Sequence, residues 1–138
     1  PVFWVWSREM AEETQAIDPD GDPYWQGAAE GELRYRKCGA CDASIFYPRS
    51  ICPKCGATDP DWAVSKGEGS VYACSPVHRA PPAFADNAPY TVLLVDLDEG
   101  FRMMGGLVGT EAIAVGDRIT VTFQDGPNGR PAPYFTPA

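Results

Sequence analysis

Apolar and polar positions along the chain change period once, near residue 67. Before it, apolar residues come in short clusters between turn residues. After it, they fall into strand-like runs. Arg118–Gln124 alternates Ile119, Val121 and Phe123 with Arg118, Thr120 and Thr122, the period of a strand with one buried face. Tyr90–Asp96 (YTVLLVD) is a nearly continuous β-rich run, which predicts a strand buried on both faces. Ser70–His78 and Phe101–Val108 read as further strands, and Pro133–Phe135 as a short fifth. Asp98-Glu99-Gly100 is a hairpin turn, and Asp125–Arg130 another. Gly105-Gly106 suggests a bulge or a barrel corner in the third strand. Gly109–Val115 is a short connection with room for a helical turn. Five short antiparallel strands with a bulged third suit a small closed barrel of the OB type.

The first half of the chain is punctuated differently. Asp22-Pro23 reads as a helix N-cap followed by Pro at the first helical position. The helix, Tyr24–Glu30, ends at Gly31. Leu33–Lys37 is a short strand, Ser44–Tyr47 a hairpin closed by Pro48, and Trp62–Ser65 leads out toward a turn at 66–69. The fold class is mainly β, in three parts: an N-terminal leader and helix over 1–33, a compact segment over 34–66, and a five-stranded OB-fold barrel over 67–138. The leader opens with Val2, Phe3, Trp4, Val5 and Trp6. So many large apolar residues need cover from the body, a partner or a preceding domain, and Trp is enriched at interface hot spots.

The middle part carries the chemistry. Residues 38–55 read CGACDASIFYPRSICPKC, two Cys-x-x-Cys pairs ten residues apart. Each pair aims its sulfurs at one point, and two pairs joined by a hairpin give the four-thiolate tetrahedron of a structural zinc site. Gly39, Asp42 and Gly56 tolerate the positive φ that such knuckles use. Two disulfides, or four free thiols, are the competing readings, and the compact pairing weighs against them. Iron also accepts four sulfurs, but the inter-pair loop is short and no second redox centre is visible, so zinc is the expected metal. Four thiolates leave no coordination place for water, which makes the site structural rather than catalytic.

Composition narrows the rest. Gly and Pro number 14 each, which favours turns and short strands over long helices. Net charge is −8, with residues 34–79 alone mildly basic. A nucleic-acid binder carries a basic face instead, so a nucleic-acid-binding OB and zinc-ribbon module is the weaker alternative. A rubredoxin-like electron carrier is the other. No apolar run approaches the ~18 residues that span a bilayer, and no signal peptide is apparent. Cysteines in metal spacing point to a reducing, cytoplasmic location. The start at Pro1 rather than Met suggests an excised domain or a processed product.

No P-loop, GxGxxG or nucleophile elbow is present. Cys74 and His78 lie four positions apart on one predicted strand, about 13 Å at strand rise, beyond nucleophile–base reach. Cys74 is read as a buried thiol. The chain on its own does not read as an enzyme. The Pro-rich stretch 76–90 (PVHRAPPAFADNAPY) is stiff and carries Phe84 near its tip, a loop suited to contacts beyond its own barrel.

One combination is more specific than any single motif. YWQG and EGEL, a ribbon with YPR before CPKCG, then GEGSVY, HRAPPAF and PYTVLLVDLDEG together resemble the acyl-CoA-associated OB-fold proteins with a rubredoxin-like zinc ribbon, domain-of-unknown-function family thirty-five. The resemblance covers roughly residues 22–136. It implies a non-catalytic partner of thiolase-like enzymes: thiolases, synthases, or aldolases that shorten steroid side chains. Some members follow a MaoC-like hydratase domain, which the aromatic leader and missing Met would suit. The implied role is to complete the acyl-CoA channel of a thiolase-like dimer, two copies per dimer, with neither nucleic acid nor membrane as partner. It implies Cys38, Cys41, Cys52 and Cys55 as ligands of one structural zinc. The channel-facing candidates are His78, Arg79 and Phe84, with Arg79 toward a CoA phosphate or simply toward solvent.

Overall fold

A computed structural model describes residues 18–138 apart from 111 and 128. The aromatic leader therefore lies outside the described residues. One helix, α1 (Asp22–Ala29), leads into a three-stranded antiparallel sheet of β1 (Leu33–Lys37), β2 (Ser44–Ile45) and β3 (Asp61–Ser65), ordered β2-β1-β3. A closed barrel follows, built from β4 (Glu68–Val77), β5 (Tyr90–Leu97), β6 (Arg102–Leu107), β7 (Arg118–Asp125) and β8 (Pro131–Pro137), ordered β4-β5-β6-β8-β7. This is the mainly β architecture with a closed five-stranded barrel that the apolar pattern predicts. Among the described residues no helix is long and apolar enough to cross a membrane.

Several local expectations change. Gly21, not Asp22, caps α1, and no side chain completes the cap. Asp22 lies inside the first turn, where a carboxylate still favours the positive end of the helix dipole. Trp62–Ser65 is not a lead-out. It belongs to β3, whose five residues pair with β1 from Leu33↔Ser65 to Lys37↔Asp61. The strand β5 alternates rather than being buried on both faces: Leu93, Val95 and Leu97 point into the core, while Leu94 and Asp96 are half-buried. The described residues between β6 and β7 form no helical turn.

The bulge sits elsewhere than predicted. It falls in β4, between Val71 and Ala73, whereas β6 pairs with β5 in unbroken register from Val92↔Gly106 to Asp96↔Arg102. Gly105 and Gly106 serve close approach instead. A Cβ on Gly105 would meet the Phe135 ring at 2.6 Å, and one on Gly106 the Tyr134 ring at 2.8 Å. At this crossing β6 pairs with β8 in parallel, Gly106↔Tyr134 and Leu107↔Phe135, so one pair of the barrel is not antiparallel.

Sheet and barrel share a core. Tyr24 of α1 and Leu33 and Tyr35 of β1 pack with Val71, Leu93, Val95, Phe101, Met103, Ile119 and Phe135. Phe101 is the joint: its ring stacks on Tyr35 at 4.9 Å and on Phe46 at 5.1 Å. Phe46 in turn meets Tyr24 edge-on at 5.7 Å. Burial, with a smaller push from Tyr47, holds the Tyr24 phenol well above the ordinary tyrosine range.

The β5–β6 turn clamps the same joint from the polar side. The two carboxylate oxygens of Glu99 accept from Ser65 Oγ and the Lys66 amide, both at 2.8 Å. Its backbone carbonyl accepts from Ser44 Oγ at 2.6 Å. One turn residue thus ties β2 and β3 to the barrel. Glu99→Ala is expected to cost about 1–3 kcal/mol, because the Ser65 hydroxyl and the Lys66 amide each lose a charged acceptor. Urea denaturation checks it, and an unchanged midpoint would show that water replaces the carboxylate without loss.

Candidate metal centre and partner-facing loop

The two Cys-x-x-Cys turns are built alike. In the first, the Cys38 amide donates to Ala43 O at 2.9 Å and the Asp42 amide to Cys38 O at 3.0 Å. In the second, the Cys52 amide donates to Ala57 O at 2.9 Å and the Gly56 amide to Cys52 O at 3.0 Å. The residue after each second cysteine takes positive φ, 61° at Asp42 and 78° at Gly56. That is where Asp and Gly are tolerated. Gly39, the third residue expected there, has no positive φ. Ile45 packs beneath Cys38 and Cys52 in a small cluster of its own.

These turns bring all four sulfurs within 4.8 Å of one another. Cys38 Sγ lies 3.5 Å from Cys55 Sγ, and Cys41 Sγ 3.7 Å from Cys52 Sγ. A tetrahedron with Zn–S bonds of about 2.3 Å has S–S edges of about 3.8 Å, so the two short pairs already fit zinc to within about 0.3 Å, and the widest separation, up to 4.8 Å, closes by about 1 Å. The donor set is all sulfur, which suits zinc or iron and not a hard cation. Among the described residues no other His, Cys, Asp and Glu group has this geometry.

The electrostatics agree with a site completed by a cation. Amide hydrogen bonds from Cys41 and Ala40 hold the Cys38 thiol below its ordinary range. The Cys55 amide, opposed by burial and helped by the Lys54 amide, brings Cys52 down to about 6. The Ala43 amide also pulls Cys41 down. Burial and the adjoining sulfurs of Cys55, Cys38 and Cys52 outweigh that pull and push Cys41 up to about 12. Four sulfurs this close cannot all carry charge without a cation among them.

A side chain that sequence reasoning passed over braces the second turn. Arg36, in the middle of β1, is buried. Its Nε and Nη2 donate to Pro60 O at 3.0 and 2.6 Å, and Nη2 also donates to Asp59 Oδ1 at 3.1 Å. The guanidinium lies 4.9 Å over the Trp62 ring. The β-period of LRYRK gives no hint that one Arg turns inward, because its acceptors lie 23 and 24 residues away in sequence.

The Pro-rich stretch forms a short 3-10 helix, Pro82–Asn87, with no buried residue. Phe84 is 37% exposed, and its ring lies 5.8 Å from that of Tyr90. His78 and Arg79 are exposed at the loop's start. Cys74 is exposed rather than buried, so the default for a lone cysteine fails here. Other large apolar side chains at the surface are Tyr47 and Ile51 between the knuckles, Val64 on β3, and Tyr72 and Met104 on the barrel. An open depression of about 320 Å³ is lined by Asp96, Leu97, Gly100, Phe101 and Arg102. Across it Arg102 Nε and Nη2 grip Asp96 at 2.6 and 3.1 Å. That pairing holds the Asp96 carboxyl below its ordinary range, and Asp96 and Arg102 are the only ionisable residues that line the depression.

Family comparison covers the same two parts. The model described as "ChsH2, rubredoxin-like zinc ribbon domain" matches residues 25–61, and "ChsH2, C-terminal OB-fold domain" matches residues 62–124. A "DUF35 domain-containing scaffold protein" of Methanocaldococcus jannaschii is 35% identical over 100 residues, 67% of this chain and 71% of that protein. A "Probable enoyl-CoA hydratase alpha subunit" of Thermomonospora curvata is 33% identical over 126 residues, 89% of this chain. The chain spans only 39% of that relative's length. Among solved structures, a chain of "Ltp2-ChsH2(DUF35) aldolase" superposes with a TM-score of 0.78 at 33% identity, covering 88% of this chain and 97% of that one.

Proposed function

The chain belongs to the DUF35 family of zinc-ribbon and OB-fold proteins, and from that membership we propose that it is a non-catalytic accessory domain of an acyl-CoA enzyme. Its partner in this reading is a thiolase-like enzyme, a thiolase or an aldolase acting on steroid or lipid side chains, and the domain helps form the acyl-CoA channel. The observation that carries the reading is the likeness, over nearly the whole of that chain, to a component of a structure described as an aldolase with a DUF35 part. The residues support it. The sulfur cluster leaves no open coordination place, and Cys74 and His78 are both exposed, with no hydrogen bond between them among the described residues.

Cys38, Cys41, Cys52 and Cys55 would hold one structural zinc, which fixes the ribbon and does no chemistry. The exposed 3-10 segment is the candidate channel-facing element, with Phe84 as its apolar contact and His78 and Arg79 as polar ones. Two copies per enzyme dimer follow if docking obeys the dimer's two-fold axis.

The experiment is reconstitution. Phe84→Ala, and Pro81 and Pro82 both to Gly, are expected to lower the stability of the domain only modestly, by about 1 kcal/mol per site or less, since no residue of the segment is fully buried and each lost Pro acts through the unfolded chain. Mixed with a thiolase-like aldolase, they should weaken co-elution and lower turnover about tenfold. Losing the prolines raises the entropy lost when the loop orders on binding. Full activity of the mixture at wild-type concentrations would reduce the loop to a cover for the barrel. Turnover of acyl-CoA by the domain alone would overturn the non-catalytic reading.

A further inference from the structure

We infer that the four-cysteine centre is also a peroxide-responsive release site, in which Cys55 is attacked first and Cys38 resolves it. This rests on the structural-zinc reading above and goes beyond it. The four sulfurs are not equally protected. Cys38 and Cys52 are each 1% exposed, Cys41 is half-buried, and Cys55 is exposed. The whole Pro53–Gly56 turn around Cys55 faces solvent. Thiolate oxidation follows exposure, so Cys55 is the ligand an oxidant in solvent reaches first.

Geometry supplies the second partner. Cys38 Sγ stands 3.5 Å from Cys55 Sγ, while the other exposed thiol, Cys74, lies outside the cluster on β4. The chemistry balances with hydrogen peroxide as oxidant. The Cys55 thiolate attacks one peroxide oxygen, the O–O bond breaks, a sulfenic acid forms on Cys55 and hydroxide leaves. The Cys38 thiolate then attacks the Cys55 sulfur. The S–O bond breaks, a disulfide forms and a second hydroxide leaves. Two thiolates lose two electrons, peroxide gains them, and two protons from solvent make two waters. A disulfide of about 2.05 Å removes one edge of a tetrahedron that needs about 3.8 Å. Two thiolates remain, and the dication departs.

The consequence is local. The segment between the knuckles, with exposed Tyr47 and Ile51, stays tethered at its ends by the new Cys38–Cys55 link but loses the hold of Cys41 and Cys52 on the metal, while the Phe101 joint keeps the far end of the sheet on the barrel. A thiol reductant with added zinc restores the site.

The test uses the zinc-loaded chain, hydrogen peroxide, a chromogenic zinc chelator and dimedone to trap sulfenic acid. Expected are release of one zinc per chain, first dimedone label on Cys55, and a Cys38–Cys55 link in the peptide map when dimedone is absent. Cys74→Ser should release zinc at the wild-type rate. Cys55→His keeps four ligands, as Cys3His sites do, and should slow release at least tenfold. First labelling of Cys38, Cys41 or Cys52 would overturn the inference. So would zinc retained after Cys74 is fully oxidised, or wild-type release from zinc-loaded Cys55→His. The wild-type label map decides alone if the His variant fails to load. A chain that takes up no zinc at all overturns the metal reading itself, a failure distinct from zinc that is bound and not released.

Discussion

Cys52→Ser is expected to abolish stoichiometric zinc and unfold the ribbon end of the sheet while the barrel stays folded. Zinc binding in small ribbons is coupled to folding and contributes about 10–16 kcal/mol in zinc-finger peptides. Even a third of that, about 3–5 kcal/mol, is a large share of the about 5–15 kcal/mol that holds a whole domain folded. Around the site there is little else to hold the chain. The second core cluster contains only Cys38, Ile45 and Cys52, with Cys41, Ala43 and Ala57 at its edge. The barrel has its own interior, Phe135, Leu93, Val95 and Ile119, each fully buried. Metal analysis and amide hydrogen exchange check this together. The Cys38 and Cys52 amides, which close the two knuckles, should exchange fast in the variant, and those of β5 should remain slow. Iron in the wild-type protein, or a ribbon that keeps its protection without metal, would refute it.

Phe101→Ala should be the most damaging single change outside the metal site. The ring is buried and serves both parts at once, stacked on Tyr35 and on Phe46. Phe→Ala in a core costs about 3–5 kcal/mol. Here the cavity opens between two packed units, so more than stability is at stake. With that cavity at the joint, urea unfolding should separate into two transitions, the sheet first and the barrel second, where the wild type shows one. A single transition shifted by less than about 1 kcal/mol would mean that the Glu99 clamp holds the parts together unaided.

The sequence was legible where local chemistry decides the structure. The strand Leu33–Lys37 has the limits its pattern predicts, and the alternation of Arg118–Gln124 places Ile119 in the core. The paired cysteines imply their own convergence, because each turn is closed by hydrogen bonds within six residues. What was not legible depends on distant neighbours. Gly105-Gly106 suggested a bulge, but their reason is the Phe135 and Tyr134 rings some thirty residues on. The true bulge, beside Tyr72, has no glycine to mark it. Nothing in the strand pattern marked Arg36 as buried, and Cys74, read as a buried thiol, is exposed. Burial of a polar side chain is set by acceptors that only the closed fold supplies, and exposure of a cysteine by the absence of a covering element. The channel role of His78, Arg79 and Phe84 belongs to the same class, since it depends on a surface outside this chain.

The parallel pairing of β8 with β6 fixes when the barrel can form. β8 lies between β6 and β7 and is hydrogen-bonded to both. Hairpins β4–β5 and β5–β6 join consecutive strands, but the β6–β8 seam closes across nearly thirty residues, and β4 meets β7 across some fifty. Such non-local pairings make for slow folding. Until β8 arrives, the β6 and β7 edges stand open, with apolar Met103 and Ile119 behind them, a template for pairing with other chains. Slow insertion of β8 would lengthen the time those edges are open to such pairing. A substitution that weakens Phe135 or Tyr134 should lower the yield of soluble protein in addition to lowering the stability of molecules that have already closed.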